Sequence, residues 1–272
     1  MKKLPPAKFE KSTSCTLIDS HIHLDSDAYA EDWQEAWQRA QAVSLRALVL
    51  PSTNLASSRR IAAMCKDNPG FFATVGVHPH QADEFDPTTS PPAMAAFLPG
   101  AKAVGETGLE AHYDFCPWES QLISLRHHLN LARDTRLPLI LHCREAEQPL
   151  YSELLAHGPF PGLGVVHCYT GDWEMAQRFL DLGFFLGING ICTLASATQV
   201  HEVARKAPLD RLLLETDGPY LTPKPFRGCR NEPGLIPVIA RALAELRSEN
   251  VDIIAESTSR NSIRLFHLPL EV

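Results

Sequence analysis

Seven side chains of the kinds that bind metal ions follow short apolar runs along this chain. They are His21, His23, His78, Glu106, His142, His167 and Asp217. Because residues i and i+2 of a strand point to the same face, the His21-Ile22-His23 triplet would bring two imidazoles to one point. Imidazole nitrogens and carboxylate oxygens together suit a divalent metal ion. The triplet alone is a weak signal, but six strand ends that carry such residues predict one shared metal centre.

The number of potential ligands indicates two ions. The histidines of the set, with Glu106 and Asp217, exceed what one zinc-like ion needs. A carboxylate can bridge two ions through its two oxygens, and Glu106 is the candidate bridge. Two ions about 3.5–4 Å apart can activate a water and clamp the attacking and leaving oxygens of a phosphodiester. Asp217 could then bind one ion and accept the proton of that water, so Glu106 and Asp217 are the predicted catalytic residues.

Eight short apolar segments that alternate with helical patterns must position these residues. We predict strands over 17–24, 46–52, 71–77, 101–105, 138–141, 164–166, 184–188 and 211–215. Near-continuous apolar strands are typical of a parallel sheet that is buried on both faces. Eight strand-helix repeats indicate an α/β fold, a (β/α)8 TIM barrel in which all strands open their carboxyl ends on one face. A doubly wound open sheet is the alternative.

Helical spacing and capping residues predict the intervening helices. The clearest are 31–43, a helix that begins after Asn54 and ends near Lys66, 118–135 and 172–182.

The chain has 272 residues, of which 44% are hydrophobic and 21% charged, an ordinary composition for one barrel. We therefore predict a single domain over 15–272, preceded by a flexible N-terminal lead-in over 1–14.

Several sequence signals bear on compartment and partners. No apolar run reaches ~18 residues and the N-terminus has no signal-peptide core, so we expect neither a membrane span nor secretion. The seven cysteines form no C-x-x-C pair, which is typical of reduced thiols in a cytoplasmic protein. The formal net charge of −7 argues against bulk wrapping of nucleic acid but allows a small site where metals meet a phosphate. The oligomeric state stays open, with a monomer favoured.

The motifs around these residues occur in the order found in TatD-type metal-dependent deoxyribonucleases, which the chain resembles from about residue 17 to 267. The segments are Ile18-Asp19-Ser20-His21-Ile22-His23-Leu24, Gly76-Val77-His78-Pro79-His80, Val104-Gly105-Glu106-Thr107-Gly108-Leu109, His142-Cys143-Arg144, His167-Cys168-Tyr169-Thr170-Gly171 and Glu215-Thr216-Asp217-Gly218-Pro219-Tyr220-Leu221. The stretch Arg227-Gly228-Cys229-Arg230-Asn231-Glu232-Pro233 is similar to that family's segment after the eighth strand. The set is specific, although each piece alone is not.

The resemblance implies a TIM barrel of the amidohydrolase-like superfamily and hydrolysis of phosphodiester bonds in DNA, from ends or in single strands. By position, the family's metal ligands fall on His21, His23, Glu106, His142, His167 and Asp217. We expect two divalent ions, Mg²⁺ or Mn²⁺ in the active enzyme and Zn²⁺ as an ion that crystals can hold. The chain departs from the family at Glu110 (usually Asp), Leu125 (Phe), His128 (Gln) and Cys229 (Lys), which bears on substrate preference.

Other residues and functions complete the hypothesis. His78, Arg227 and Arg230 are the predicted substrate contacts. The alternative for His78 is that it contacts only a carboxylate of the protein. The alternative for the arginines is a solvated loop in which a carboxylate holds Arg230. Neither a P-loop nor a Rossmann fingerprint occurs, so no organic cofactor is expected. An amidohydrolase or lactonase with the same binuclear site is the alternative function, but Glu106 stands where such enzymes often carry a carboxylated lysine. A non-catalytic metal or nucleic-acid binder is the third hypothesis, and the complete ligand set argues against it.

Overall fold

Eight parallel strands alternate with helices along the chain. The computed structural model describes residues 2–4 and 9–271. The strands are β1 Leu17–Asp19, β2 Leu45–Leu50, β3 Phe71–Ala73, β4 Val104–Glu110, β5 Leu139–Arg144, β6 Gly164–Val166, β7 Phe185–Ile188 and β8 Leu212–Leu214. They pair in sequence order, β1 to β3 in one sheet and β4 to β8 in another. The pairing and the alternation confirm the predicted barrel rather than the doubly wound sheet.

Backbone hydrogen bonds close the two sheets into a ring. The Gly105 N–H donates to the Val75 carbonyl at 2.8 Å, which joins the edge after β3 to β4. On the other side, the Ser20 N–H donates to the Leu214 carbonyl at 3.0 Å, which joins β8 to β1. All eight strands therefore present their carboxyl ends on one face, which is where barrel active sites form.

Nine helices lie around and beneath the strands in the described part of the chain. They are α1 Trp33–Ala42, α2 Leu55–Lys66, α3 Ser90–Ala95, α4 Trp118–Thr135, α5 Glu147–His157, α6 Trp173–Asp181, α7 Thr198–Lys206, α8 Ile236–Arg247 and α9 Val251–Phe266. The predicted helix over 118–135 is confirmed with the same bounds, and the Asn54 side chain caps α2 by accepting the Ser57 N–H at 2.9 Å. None of these helices is both long and apolar enough to cross a bilayer.

Side chains from the strands fill the barrel interior, and the last helix closes its lower end. The interior cluster includes Ile18, Val49, Ile140 and Leu213, each at most 2% exposed, and it continues into Phe266 of α9. A second, larger cluster packs the outer faces of the strands against the surrounding helices. The end of the barrel opposite the strand carboxyl ends is thus a packed core, which holds the strands rigidly beneath the site.

Three strands differ from the predicted bounds in ways that affect the site. β3 was expected over 71–77 but ends at Ala73, five residues before His78. β4 was expected over 101–105 but runs on to Glu110, because Thr107 to Glu110 pair in parallel with Leu141 to Arg144 of β5. Glu106 and His142 therefore lie within strands rather than after them. β1 was expected over 17–24 but ends at Asp19, whose carboxylate accepts the His21 N–H at 3.2 Å and turns the chain out of the sheet.

The described part of the predicted N-terminal lead-in contacts the domain. Leu4 is buried, and the Lys3 ammonium lies 3.0 Å from the Asp32 carboxylate. Thr13 is also buried and its hydroxyl donates to Asp252 of α9. Residues 1 and 5–8 of this segment lie outside the described residues, as does 272. The boundary between the lead-in and the domain over 15–272 stays a prediction.

Candidate metal centre

One group of donors gathers where β1 and β8 end. His21 Nε2 lies 3.2 Å from Glu106 Oε2, and His23 Nε2 lies 3.4 Å from the same oxygen. Asp217 Oδ1 is 3.8 Å from His21 Nε2 and 3.6 Å from His23 Nε2. His21, His23 and Asp217 place donor atoms within 4.8 Å of one another, a spacing that could hold a metal ion. Two imidazoles and two carboxylates form a donor set that suits a divalent cation.

A second group faces the other oxygen of Glu106. Its Oε1 lies 2.7 Å from His167 Nε2, 3.2 Å from His142 Nδ1 and 3.3 Å from His78 Nε2. The His142 and His167 nitrogens are 3.4 Å apart. These side chains come from β5 and the segments that follow β3 and β6, so the barrel alone brings residues 89 positions apart in sequence to one carboxylate. Three imidazole nitrogens thus surround this oxygen of Glu106 at the barrel mouth.

Glu106 lies between the two groups and is 1% exposed. Burial by itself would raise the pKa of its carboxyl, but the imidazoles of His167, His78 and His21 outweigh burial and hold the pKa well below its usual value. Its Oε2 is buried and accepts no hydrogen bond from any described residue. A bound cation would satisfy a buried carboxylate oxygen that has no hydrogen-bond donor and faces two imidazole nitrogens. The residues around Glu106 therefore fit bound metal.

Asp217 follows β8 in a left-handed backbone conformation, with φ of 56°. Its N–H donates to the His21 carbonyl at 2.9 Å, and its carbonyl accepts the Tyr220 N–H at 3.0 Å. These two bonds hold a backbone conformation that is uncommon outside glycine and fix the direction of the carboxylate. Burial raises the pKa of this carboxyl to about 6, although the nearby His167 and His23 lower it in part; a bound cation would favour the ionised form.

Two buried carboxylates that the sequence analysis left without a role support these ligands. Glu215 Oε1 accepts the Cys168 N–H at 2.5 Å and lies 3.6 Å from His167 Nδ1. Asp19 accepts the Thr216 N–H at 2.9 Å and the Thr216 hydroxyl, which joins the ends of β1 and β8. Their position two residues before His21 and Asp217 was the available signal. Asp19 holds the backbone of His21, and Glu215 holds the backbone of Cys168, the residue after His167. Buried carboxylates this close to the donors are typical of a metal site.

Glu110 and His80 form a further part of the site. Glu110 Oε2 lies 3.1 Å from His142 Nε2 and 3.2 Å from His80 Nε2. His142 therefore directs one nitrogen to Glu106 and the other to Glu110, so Glu110 fixes the orientation of the ring. The glutamate that departs from the family's usual aspartate thus contacts a predicted ligand directly. His128, another departure, is buried and accepts the Val77 N–H at 3.1 Å, which is a structural role.

The three predicted substrate contacts lie in different environments, and one of them is buried away from the site. His78 lies in the site, 3.3 Å from Glu106, and Arg227 is exposed on the loop after β8. Arg230 is 1% exposed and pairs with Asp32 at 2.7 Å and Glu232 at 2.6 Å. The prediction of a substrate contact at Arg230 is therefore corrected: its guanidinium is buried, pairs with two carboxylates inside the protein and anchors the loop.

Comparisons with known proteins agree with this geometry. The family model described as "TatD related DNase" matches residues 18–267. "Uncharacterized metal-dependent hydrolase YabD" of Bacillus subtilis is 34% identical over 255 residues, covering 93% of this chain and 99% of the relative. "3'-5' ssDNA/RNA exonuclease TatD" of Erwinia billingiae is 33% identical over 261 residues, covering 93% and 100%. The crystal structure of YJJV, a TatD homologue from Escherichia coli, superposes with a TM-score of 0.89 at 32% identity over 94% of this chain and 99% of that one.

The fold and the paired donor groups define a barrel hydrolase of the metal-dependent class. This chain belongs to the TatD related DNase family. The family resemblance read from the motifs is thereby confirmed.

Proposed function

We propose that this protein is a divalent-metal-dependent nuclease that hydrolyses phosphodiester bonds of DNA, acting from strand ends. The observation that carries the proposal is that the two oxygens of buried Glu106 face different imidazoles, Oε2 those of His21 and His23 and Oε1 those of three other histidines. Two ions held there would polarise the scissile phosphate and lower the pKa of an attacking water. The proposed ligands are His21, His23, Glu106, His142, His167 and Asp217, and the proposed ions in the active enzyme are Mg²⁺ or Mn²⁺.

Asp217 is the proposed general base. Its carboxylate faces the group formed by His21 and His23, and it is slightly exposed at the mouth, where a water can reach it. A carboxylate at hydrogen-bond distance from the attacking water can accept its proton as the oxygen bonds to phosphorus. Glu106 is too deeply buried and too close to imidazoles to accept that proton. Its proposed role is to hold the two donor groups in a fixed position relative to each other.

His78 and Arg227 are the proposed contacts to the substrate phosphates. The His78 side chain is 12% exposed and its Nε2 lies among the donors around Glu106 Oε1. Arg227 is exposed on the loop after β8, on the catalytic face. A donor beside the reacting phosphate and a cation at the rim would position the strand without reading its sequence.

Single-stranded nucleic acid is the proposed substrate form, since the donors His21, Glu106 and His167 are buried and a strand end must reach them. The relative from Erwinia billingiae carries the name of a 3'-5' exonuclease of ssDNA and RNA, which supports the same polarity here. All seven cysteines are free thiols, which supports a reducing, cytoplasmic compartment. A monomer is the proposed state, because the whole donor set comes from one chain.

A hydrolysis panel tests the proposal. The protein is stripped with a chelator, and Mg²⁺, Mn²⁺ or Zn²⁺ is added back singly before assay on single-stranded DNA, duplex DNA, RNA, a lactone and a cyclic amide. We expect metal-dependent shortening of single-stranded DNA from its 3′ end. Turnover of the lactone or the amide without cleavage of DNA would instead support the amidohydrolase alternative.

A further inference from the structure

Two aromatic side chains stand exposed on the loop that follows β4. Phe115 is 62% exposed and Tyr113 is 42% exposed. Their rings stack with centroids 5.1 Å apart and an interplanar angle of 22°. Large aromatic side chains are mostly buried because contact of apolar surface with water is unfavourable. An exposed aromatic pair beside a functional site is therefore a candidate binding surface.

This aromatic pair, Tyr113 and Phe115, is next to the metal centre. The Phe115 ring centroid lies 4.8 Å from that of His80. His80 and His142 both contact Glu110 Oε2, at 3.2 and 3.1 Å. His142 in turn lies 3.2 Å from Glu106. These contacts place the aromatic pair beside the donors, on the side of the barrel mouth where β4 and β5 end.

Hydrogen bonds clamp the loop that carries the aromatic pair. Glu110 Oε1 accepts the N–H groups of His112 at 2.7 Å and Tyr113 at 3.1 Å. At the other end, the Gln121 amide of α4 donates to the carbonyls of Cys116 at 3.0 Å and Glu110 at 3.1 Å. The loop is thus closed at both ends before a ligand arrives, so binding to the rings need not order it. Glu110 joins this loop to the ligand His142.

A positive charge lies over one of these rings. The Arg144 guanidinium is 4.9 Å from the Tyr113 ring centroid, a cation–π distance, and the side chain is exposed. In a chain with a net charge of −7, this exposed cation is available to attract a backbone phosphate.

We propose that Tyr113 and Phe115 form a stacking platform for an unpaired nucleobase of the strand that is cleaved at the metal centre, with Arg144 beside it to attract the backbone. The proposal rests on the proposed nuclease function. The face of a base is free in a single strand and covered in a stacked duplex, so the platform selects single-stranded ends. Because every base has a π-face, selection by sequence is weak.

The test uses metal-loaded protein and phosphorothioate-linked single-stranded oligonucleotides with 2-aminopurine at each of the three 3′-terminal positions. Wild type should quench the fluorescence of at least one position by stacking. Phe115→Ala should lose that quenching and bind roughly 5–100-fold more weakly, as expected for the loss of one stacked base. Its metal content should equal that of wild type, and Phe115→Trp should restore quenching. Ile253→Ala is the matched control, since Ile253 is 50% exposed on α9 at the opposite end of the barrel.

The outcomes separate this inference from the nuclease proposal. Equal quenching and equal affinity in wild type and Phe115→Ala, with wild type cleaving unmodified DNA, would overturn the platform alone. Wild type that neither binds nor cleaves single strands would overturn both. An abasic oligonucleotide gives a second readout: wild type and Phe115→Ala should bind it equally, because no base is present to stack.

Discussion

Each of the two carboxylate oxygens of Glu106 contacts a different group of donors. One carboxylate faces His21 and His23 through Oε2 and His142 and His167 through Oε1. Because the side chain is nearly fully buried, water cannot replace either set of contacts. A glutamate at this position therefore couples the two donor groups more directly than any other residue of the site.

Asp217→Asn should keep the shape of the site and lower kcat by about 10²–10⁴-fold, the usual contribution of a general base. The amide retains one oxygen donor, while the histidines and Glu106 still hold the ions, so bound metal and KM should change little. Steady-state kinetics with metal analysis checks this. Asp134→Asn is the control, because Asp134 is an exposed aspartate on α4. A near wild-type kcat in Asp217→Asn at saturating metal would show that another group takes the proton.

His78→Ala should lower kcat/KM by roughly 10–100-fold and leave the metal content unchanged. The reason is that one hydrogen bond to a charged group is lost, which contributes about 1.5–3 kcal/mol, while the other donors around Glu106 remain. His157→Ala is the control, since His157 ends α5 and its side chain contacts Glu153 of the same helix. Loss of an ion from His78→Ala would contradict the substrate-contact role and make His78 a ligand.

At the scale of elements, the sequence predicted the apolar and capped segments well. The helix over 118–135 and the Asn54 cap follow from local side-chain patterns, and the structure confirms both. β4 was placed too early because its second half, Thr107 to Glu110, is polar and contains Gly108. Its strand conformation comes from pairing with β5, which no local pattern reveals. The position of Asp19 and Glu215 beneath the ligands likewise depends on closure of the barrel.

The loop after β8 is anchored by a buried ion-pair cluster that local sequence could not distinguish from a substrate-binding loop. Arg230 donates to both oxygens of Asp32, at 2.7 and 3.0 Å, and to Glu232. Its guanidinium also lies 4.5 Å from the Tyr29 ring centroid. The cluster joins the segment before α1 to the segment that leads into α8, so it holds the Asp217 loop from outside the site.

Asp32→Asn should lower the free energy of unfolding by about 3–5 kcal/mol at pH 7, because it removes the charge of one of the two carboxylates that pair with buried Arg230. Hydrogen bonding to Arg230 outweighs burial and lowers the pKa of Asp32 to about 2. A lowered carboxyl pKa stabilises the fold fully above the usual value of 3.8, and that stabilisation is lost as pH falls through about 2. The stability difference between wild type and Asp32→Asn should therefore shrink between pH about 4 and about 2.

Urea unfolding of chelator-treated protein at a series of pH values measures that difference. Glu35→Gln is the control, since Glu35 is an exposed partner of Arg39 on α1 and a surface pair contributes less than about 1 kcal/mol. A pH-independent difference between wild type and Asp32→Asn would contradict the ionised state assigned to Asp32.

At the scale of the whole molecule, metal binding should stabilise the barrel. The donors come from both of the strand sets that close the ring, so ions would hold β1, β4, β5 and β8 together. An ion at about 100 times its dissociation constant adds about 2.7 kcal/mol if the unfolded chain does not bind it. Tm should thus rise by roughly 5–10 °C when Mn²⁺ is added to stripped protein. An unchanged Tm, measured by differential scanning fluorimetry across a titration, would contradict a preformed metal centre.

The most direct test of the bridging role is the number of metal ions bound per chain in wild type and in Glu106→Gln. Mass spectrometry of the metal after equilibrium dialysis measures this number, and cleavage of single-stranded DNA is assayed on the same samples. Glutamine keeps the size of the side chain but removes the charge that faces both donor groups. We expect two ions per chain and metal-dependent cleavage in wild type, and at most one ion with little cleavage in Glu106→Gln. Two tightly bound ions and near wild-type cleavage in Glu106→Gln would contradict the bridging role on which the proposed nuclease mechanism depends.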